Sequence, residues 1–234
     1  MRRVPDDRIR PRLSSPTYAV RAPLAAWLQR QAAEARARYG RYRILDVGCG
    51  AKPYLPFFEP HVAEYVGVDR SGNPRAELEG SVEALPVEDA SFDVVLCTQV
   101  LEHVADPAAA VRELRRVLRP GGCALVSTHG VYPYHPNPDD LWRWTHEGLA
   151  RLFRGSADWS SVTVSAGSGT TACVAMVVGH FVDLLFHRVR ARPLGRPVVA
   201  LLNRAAEAID RSSPILRDPI PGSLFANYHV EAIA

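Results

Sequence analysis

Lysine is almost missing from this chain: Lys52 is the only lysine among its 28 lysines and arginines. That is a compositional bias, and it carries no chemistry of its own. Basic runs interleaved with aromatic residues are missing too. The net charge of +3 is spread along the sequence and the pI near 8.8 is mildly basic, which argues against nucleic acid as a partner. Cysteine is sparse. Cys49, Cys97, Cys123 and Cys173 lie far apart, which excludes a paired zinc spacing and a disulfide scaffold, so they are expected as reduced, mostly buried thiols. No apolar run reaches the roughly 20 residues that span a bilayer. The longest, Ala172 to Phe186, contains His180 and Asp183 and reads as a core or interface helix rather than a membrane anchor. Met1 to Arg12 is rich in Arg and Asp and broken by Pro5 and Pro11. It lacks the apolar core of a signal peptide, so a cytoplasmic location without a membrane partner is expected.

What is present suits one sizeable core. A chain of 234 residues with 47% hydrophobic content fits one α/β domain over 1–234. Residues 1–16 read as a flexible or draped arm. Pro23 can open a helix carrying Leu24, Trp27, Leu28, Gln31 and Ala35 on one side, ended by Gly40. A strand follows over Tyr42 to Val47, then a second from Glu64 to Val68, a short one near Ala76 to Leu78, and a buried apolar run from Val94 to Cys97. Asp106 and Pro107 start a helix with Val111, Leu114, Val117 and Leu118 on one face; Pro120-Gly121-Gly122 stops it ahead of a strand from Cys123 to Thr128. This alternation predicts right-handed βαβ crossovers and a mostly parallel sheet with helices on both faces. The second half is less regular. A proline-rich loop over 130–140 leads to a helix capped by Thr145 and a strand over 162–165. Helical segments over 171–190 and 197–211 follow, and a last strand over 228–233.

The glycine turn is the first functional signal. Ile44-Leu45-Asp46-Val47-Gly48-Cys49-Gly50 puts a hydrophobic strand directly before a Gly-x-Gly turn, where backbone can approach a ligand without obstruction. Asp69 ends the next strand about 20 residues on, where a carboxylate accepts from both hydroxyls of a ribose. Together they predict a nucleoside ligand. A dinucleotide site wants a third glycine, whereas Ala51-Lys52-Pro53-Tyr54 follows here, which counts against NAD and FAD.

Further motifs extend this. Asp46-Val47-Gly48-Cys49-Gly50, Gly67-Val68-Asp69, Ala84-Leu85-Pro86, Ser91-Phe92-Asp93, Leu101-Glu102-His103-Val104 and Leu118-Arg119-Pro120-Gly121-Gly122 stand in the order and spacing that resembles the type 11 branch of class I methyltransferases. The resemblance covers residues 42–154. It implies a Rossmann-like fold with a seven-stranded sheet ending in an antiparallel hairpin, S-adenosyl-L-methionine as methyl donor, and binding across the strand ends. By that resemblance Asp46, Gly48, Cys49 and Gly50 hold the methionine end of the cofactor, Asp69 takes the ribose, and Arg70 lies beside the adenine. Ser81 and Val82 match the position where the family often places an acid against the adenine amino group; the acid is absent here, which shifts that contact to backbone groups or Glu83. Thr98 and Gln99 are expected near the methionine and the sulfonium. His103 reads equally as a packing residue and as a contact.

Methyl transfer from a sulfonium is an in-line displacement, so positioning supplies much of the rate. A base is needed mainly for a hydroxyl or protonated amine. The segment from Thr128 to Trp144 begins at the carboxyl end of the fifth strand, on the cofactor edge. It resembles a loop found in a subset of the family, and His129 and His135 are its candidates for base or acceptor orientation. Tyr132, Tyr134 and Trp142 are candidates for the pocket wall, with loop anchoring the alternative for the tryptophans. His129, His135 and Asp139 carry no metal spacing, and no metal is expected. The helices over 171–211 are an insertion expected to give a lid, acceptor wall or homodimer contact, with Val174, Val177, Val178, Phe181 and Leu185 expected mainly in the core. A small metabolite, sugar or natural-product precursor is favoured as acceptor. Two alternatives remain at this point: a non-catalytic module binding S-adenosylmethionine or its demethylated product, and a nicotinamide oxidoreductase.

Overall fold

In the computed structural model, which describes residues 7–234, seven strands form one sheet in the order β3-β2-β1-β4-β5-β7-β6. The strands are β1 (Tyr42–Val47), β2 (Val62–Asp69), β3 (Leu78–Glu79), β4 (Phe92–Thr98), β5 (Leu118–His129), β6 (Ser161–Ala166) and β7 (Asn227–Ile233). The first five run parallel, and β7 lies antiparallel between β5 and β6. The mostly parallel sheet and its antiparallel final pair match the sequence reading, but that pair is not a tight hairpin, because two long helices are inserted between β6 and β7.

The three central strands are covered on both faces, which is why they read as unbroken apolar runs. Leu45, Val47, Val95, Cys97, Ala124 and Val126 face one core. There they meet Ala110, Val111 and Leu114 of α3 (Pro107–Arg116) and Leu149 and Phe153 of α4 (His146–Ser156). Ile44, Val94, Leu96 and Leu125 face the other, under Leu24, Trp27, Leu28 and Ala32 of α1 (Tyr18–Tyr39) and Phe58 of α2 (Leu55–Phe58). Side chains alternate across each strand, so two layers of helix seal one sheet. The caps follow sequence: Asp106 accepts from Ala109 N at 3.0 Å and Thr145 from Gly148 N at 3.1 Å, satisfying otherwise orphaned donors.

Several boundaries differ from the sequence reading. α1 begins at Tyr18 with Pro23 inside it, because its first turn is nucleated upstream, where Val20 N and Arg21 N donate to Thr17 O. Val117 and Leu118 leave α3. Leu118 opens β5 opposite Phe92, with a register break before Val94, and Ser91 N and Phe92 N donate to Val117 O. Both residues are buried as expected, Val117 as the C-cap of α3 and Leu118 as the first residue of the strand. Arg192-Pro193-Leu194-Gly195, a turn-prone stretch that the sequence reading leaves between its two helical segments, is the first turn of α6 (Arg192–Ser212); the reversal lies just before it, where Arg190 takes a φ of 56°. All four cysteines are free and buried.

The largest correction concerns α5 (Thr170–Arg188). Cys173 and Met176 seat it against Ala19, Val20 and Ala226, and Gly195 lets α6 approach the Phe186 ring, where an added Cβ would lie 3.0 Å away. Val174, Val177, Val178, Phe181 and Leu185 are nevertheless exposed, Phe181 by 59%. The hairpin packs on one side only, so its outer apolar residues find no cover. Residues 1–6 of the expected arm lie outside the described residues. Residues 7–16 are tied down, with Asn203 Nδ2 donating to Leu13 O at 2.7 Å and Ser15 O at 3.0 Å.

Candidate functional site

A cavity of about 770 Å³ opens at the carboxyl ends of the strands, at the point where the order reverses between β1 and β4, the usual ligand position in such sheets. Gly48 and Gly50 line it, both with positive φ, 67° and 51°. A side chain at Gly48 would place Cβ 2.5 Å from Val100 Cγ2, so the turn is held close beneath the next loop and keeps its ligand face open. Asp69 lines the cavity from the end of β2. Its Oδ2 accepts from Gly50 N at 2.9 Å and Asn73 Nδ2 at 2.6 Å, and its Oδ1 accepts from Arg70 N at 2.8 Å. The carboxylate is therefore braced by the turn itself.

Of the residues predicted for the cofactor, Gly48, Gly50, Asp69, Arg70, Ser81, Val82, Thr98 and Gln99 all line this one cavity. Glu83 lines it as well, with its carboxylate accepting from Asp106 N at 2.7 Å. Asp46 and Cys49 are placed differently: both are buried and neither is among the lining residues. Asp46 Oδ2 accepts from Tyr65 OH at 2.6 Å, and burial pushes its carboxyl up to about 7. The Cys49 thiol packs under the turn against Gly67. Gln99 carries a φ of 57°, strain that a folded chain retains where surroundings over-determine it. Its Nε2 donates to Ser127 Oγ at 2.9 Å, while its buried Oε1 has no partner. An unsatisfied carbonyl on a cavity-lining residue fits a cationic donor group, since a buried acceptor left unpaired is costly.

The far wall holds the histidines. His129 ends β5, and Tyr132 stacks on it with ring centroids 3.7 Å apart. His135 and His103 join the lining. Burial drives the His129 imidazole down to about 3, helped by Arg143, and lowers His135, with His103 adding to the effect. Behind His129 stands fully buried Glu102, with Oε1 3.2 Å from His129 Nε2 and Oε2 accepting from Thr128 Oγ1 at 2.8 Å. Burial raises that carboxyl to about 7.

Tyr132 lines the cavity as expected, whereas Tyr134 is 80% exposed and neither it nor Trp142 is among the lining residues. The tryptophans anchor the loop: Trp142 Nε1 donates to Val104 O at 2.8 Å, and Trp142 stacks on Trp144. Arg143 braces the same loop, pairing with Asp140 and donating to Tyr132 O and Pro133 O. Sequence reasoning quoted Glu102 only inside a motif and missed Asn73, Arg8 and Arg21. Both arginines line the cavity, Arg8 from the packed 7–16 segment and Arg21 from α1. Among the described residues no cluster of His, Cys, Asp and Glu could hold a metal ion.

This sheet order, with a glycine turn after β1 and an acid at the end of β2, defines the class I methyltransferase fold. Residues 45–126 match the model of the type 11 family described as "Methyltransferase domain". A protein of Mycolicibacterium smegmatis named "Probable S-adenosylmethionine-dependent methyltransferase" is 37% identical over 106 residues, 41% of this chain and 41% of that protein. A ubiquinone biosynthesis O-methyltransferase of Paracidovorax citrulli is 38% identical over 102 residues, 37% of this chain and 43% of that protein. The matched segment thus spans about two fifths of the length of these relatives. Among solved structures, the cyclase SpnF superposes with a TM-score of 0.54 at 21% identity, covering 89% of this chain and 81% of that chain, a likeness of fold.

Proposed function

We propose that this protein binds S-adenosylmethionine across the ends of β1, β2 and β4 and transfers its methyl group to a hydroxyl on a small-molecule acceptor. The observation that carries the reading is one cavity running from Asp69 and the glycine turn to His129, Tyr132 and His135. Its volume lies in the range of small-molecule sites. When bound, S-adenosylmethionine supplies a methyl group activated by the sulfonium. Gly48 and Gly50 give it close backbone approach, Asp69 meets the ribose hydroxyls, Arg70, Ser81 and Val82 border the adenine, and Gln99 Oε1 offers an acceptor to the cationic end. Asp46 and Cys49 act from beneath by holding the turn.

On the acceptor side, Tyr132 fixes the His129 ring by stacking. Burial keeps His129 neutral but also makes it a weak base on its own, so it receives the acceptor proton only together with ionised Glu102 behind it, whose charge offsets the imidazolium. His135 orients the acceptor from the loop. The named O-methyltransferase relative supports a hydroxyl acceptor.

The test is calorimetric titration with S-adenosylmethionine, S-adenosylhomocysteine and NAD, with Asp69→Ala alongside. Micromolar binding of the first two is expected, weakened at least about tenfold in the variant, since loss of a hydrogen-bonded charge costs ~1.5–3 kcal/mol. Binding of NAD instead, or of nothing, overturns the reading. Release of S-adenosylhomocysteine on adding hydroxylated acceptors then reports turnover.

A further inference from the structure

The outer face of the α5–α6 hairpin has no role in the proposed reaction, and it gathers many of the exposed large hydrophobic residues of the protein. Val174, Val177, Val178, Phe181, Leu184, Leu185 and Val189, 40% to 70% exposed, recur at helical spacing along one side of α5, a stripe of roughly 22 Å at 1.5 Å per residue. Leu194 and Leu201, 68% and 69% exposed, extend it onto α6. Isolated exposed apolar residues need no explanation, but a contiguous face does.

Charge says what covers it. Residues 170–212 carry six arginines against three acids, Asp183, Glu207 and Asp210, and every acid is already engaged. Asp183 pairs with Arg192, Glu207 with Arg211, and buried Asp210 accepts from Thr171 N and Ala172 N. Arg188, Arg190 and Arg196 cluster at the hairpin turn, exposed and without an ion pair among the described residues. A second copy docking through the same face would bury apolar residues while laying free arginines against a surface with no free acid. An anionic lipid surface meets both features, since headgroup phosphates pair with guanidinium and acyl chains cover the stripe.

We propose that the α5–α6 hairpin docks this protein on an anionic membrane surface, lying in the interface with the Val174–Val189 stripe buried and Arg188, Arg190 and Arg196 among the headgroups. This does not rest on the methyltransferase reading. The sequence expectation of no membrane partner came from the absence of a spanning segment, and interfacial docking needs none. α5 is long and apolar enough to cross a membrane by length and composition, but its inner face is committed to the fold through Cys173 and Met176.

The test is co-sedimentation of the full chain with vesicles of phosphatidylcholine alone and of phosphatidylcholine mixed equally with phosphatidylglycerol, at low and high salt. Binding to the anionic vesicles is expected, weakened by salt, and lower by roughly two orders of magnitude in the Arg188→Gln/Arg190→Gln/Arg196→Gln variant at ~1 kcal/mol per arginine. Phe181→Ser with Leu184→Ser, both at exposed positions, should abolish it while leaving the circular-dichroism spectrum unchanged. No vesicle binding, or binding indifferent to lipid charge and to the arginines, overturns the proposal. So does a dimer by sedimentation equilibrium that dissociates in the serine variant and ignores vesicles.

Discussion

His129 Nε2 lies 3.2 Å from Glu102 Oε1, and both side chains are sealed from solvent. The contact is not aligned as a hydrogen bond, so Oε1 has no donor; the other ring nitrogen, His129 Nδ1, is buried and has no partner either. Burial pushes both groups toward neutrality, with the carboxyl at about 7 and the imidazole at about 3. The pair can hold one added proton as carboxylate and imidazolium, or as carboxylic acid and imidazole.

That arrangement fixes the sign of a pH dependence. Above about 7 Glu102 is ionised and the pair can take the acceptor proton; below, it already carries one. kcat/KM for a hydroxyl acceptor should therefore fall as the pH drops below 7, approaching about tenfold per pH step. Glu102→Gln, which can still accept from Thr128, should remove that inflection and lower kcat by about 10²-fold. Initial rates of S-adenosylhomocysteine release across the neutral range measure both. A variant with the parental pH profile leaves Glu102 a packing role only.

Asp46 makes a stability prediction. Its folded pKa of about 7 stands above the ordinary 3.8, through burial. A raised acid contributes stability below its unfolded pKa and loses it as pH rises through the folded one, here between about 4 and 7. Asp46→Asn, which can still accept from Tyr65 OH, should be more stable than the parent at alkaline pH, by up to on the order of 4 kcal/mol, with the advantage vanishing in acid. Urea midpoints at the two pH extremes decide it; equal midpoints at both would show that Asp46 does not titrate with folding.

Gly48 combines a positive φ with a close neighbour. Gly48→Ala meets Val100 Cγ2 at 2.5 Å and keeps the left-handed backbone at φ 67°. It should destabilise the fold by ~1–3 kcal/mol and weaken S-adenosylhomocysteine binding. Adding Val100→Ala relieves the clash and leaves ~1–2 kcal/mol of backbone cost. Thermal denaturation of the two variants separates the contributions; no recovery in the double variant would put the whole cost in the backbone.

The legible parts of this molecule were those where one local segment sets both position and chemistry. Residues 42–50 are strand, turn and ligand edge in a single stretch, and Asp69 follows from where the next strand must end. The caps at Asp106 and Thr145 were legible for the same reason. Glu102 was not, because its burial depends on Thr128 and His129 from a strand far along the chain. Nor was Arg8, whose segment is held by Asn203 from the other end of the sequence through Leu13 and Ser15, nor Arg21, which the first turns of α1 carry to the cavity. The apolar residues of α5 misled in the opposite direction: helical spacing reveals an apolar face, but not whether anything packs on it.

Asp210 ties that hairpin to the site. It is 2% exposed, its two oxygens accept from Thr171 N at 3.1 Å and Ala172 N at 2.9 Å, and it closes the N-terminus of α5 from α6. Asp210→Ala leaves both donors without an acceptor and should cost ~2–3 kcal/mol. The sheet core lies on other contacts, so the loss should be local. α5 in turn holds His180 against Tyr132, with centroids 5.8 Å apart, and Tyr132 stacks on His129. A loosened hairpin therefore reaches the acceptor wall but not the glycine turn. In Asp210→Ala, amide exchange should accelerate across 170–212 while β1, β4 and β5 keep their protection. KM for the acceptor should rise severalfold with S-adenosylhomocysteine affinity unchanged. Uniformly faster exchange, or equal loss of both ligands, would mean that Asp210 supports the whole fold rather than this wall.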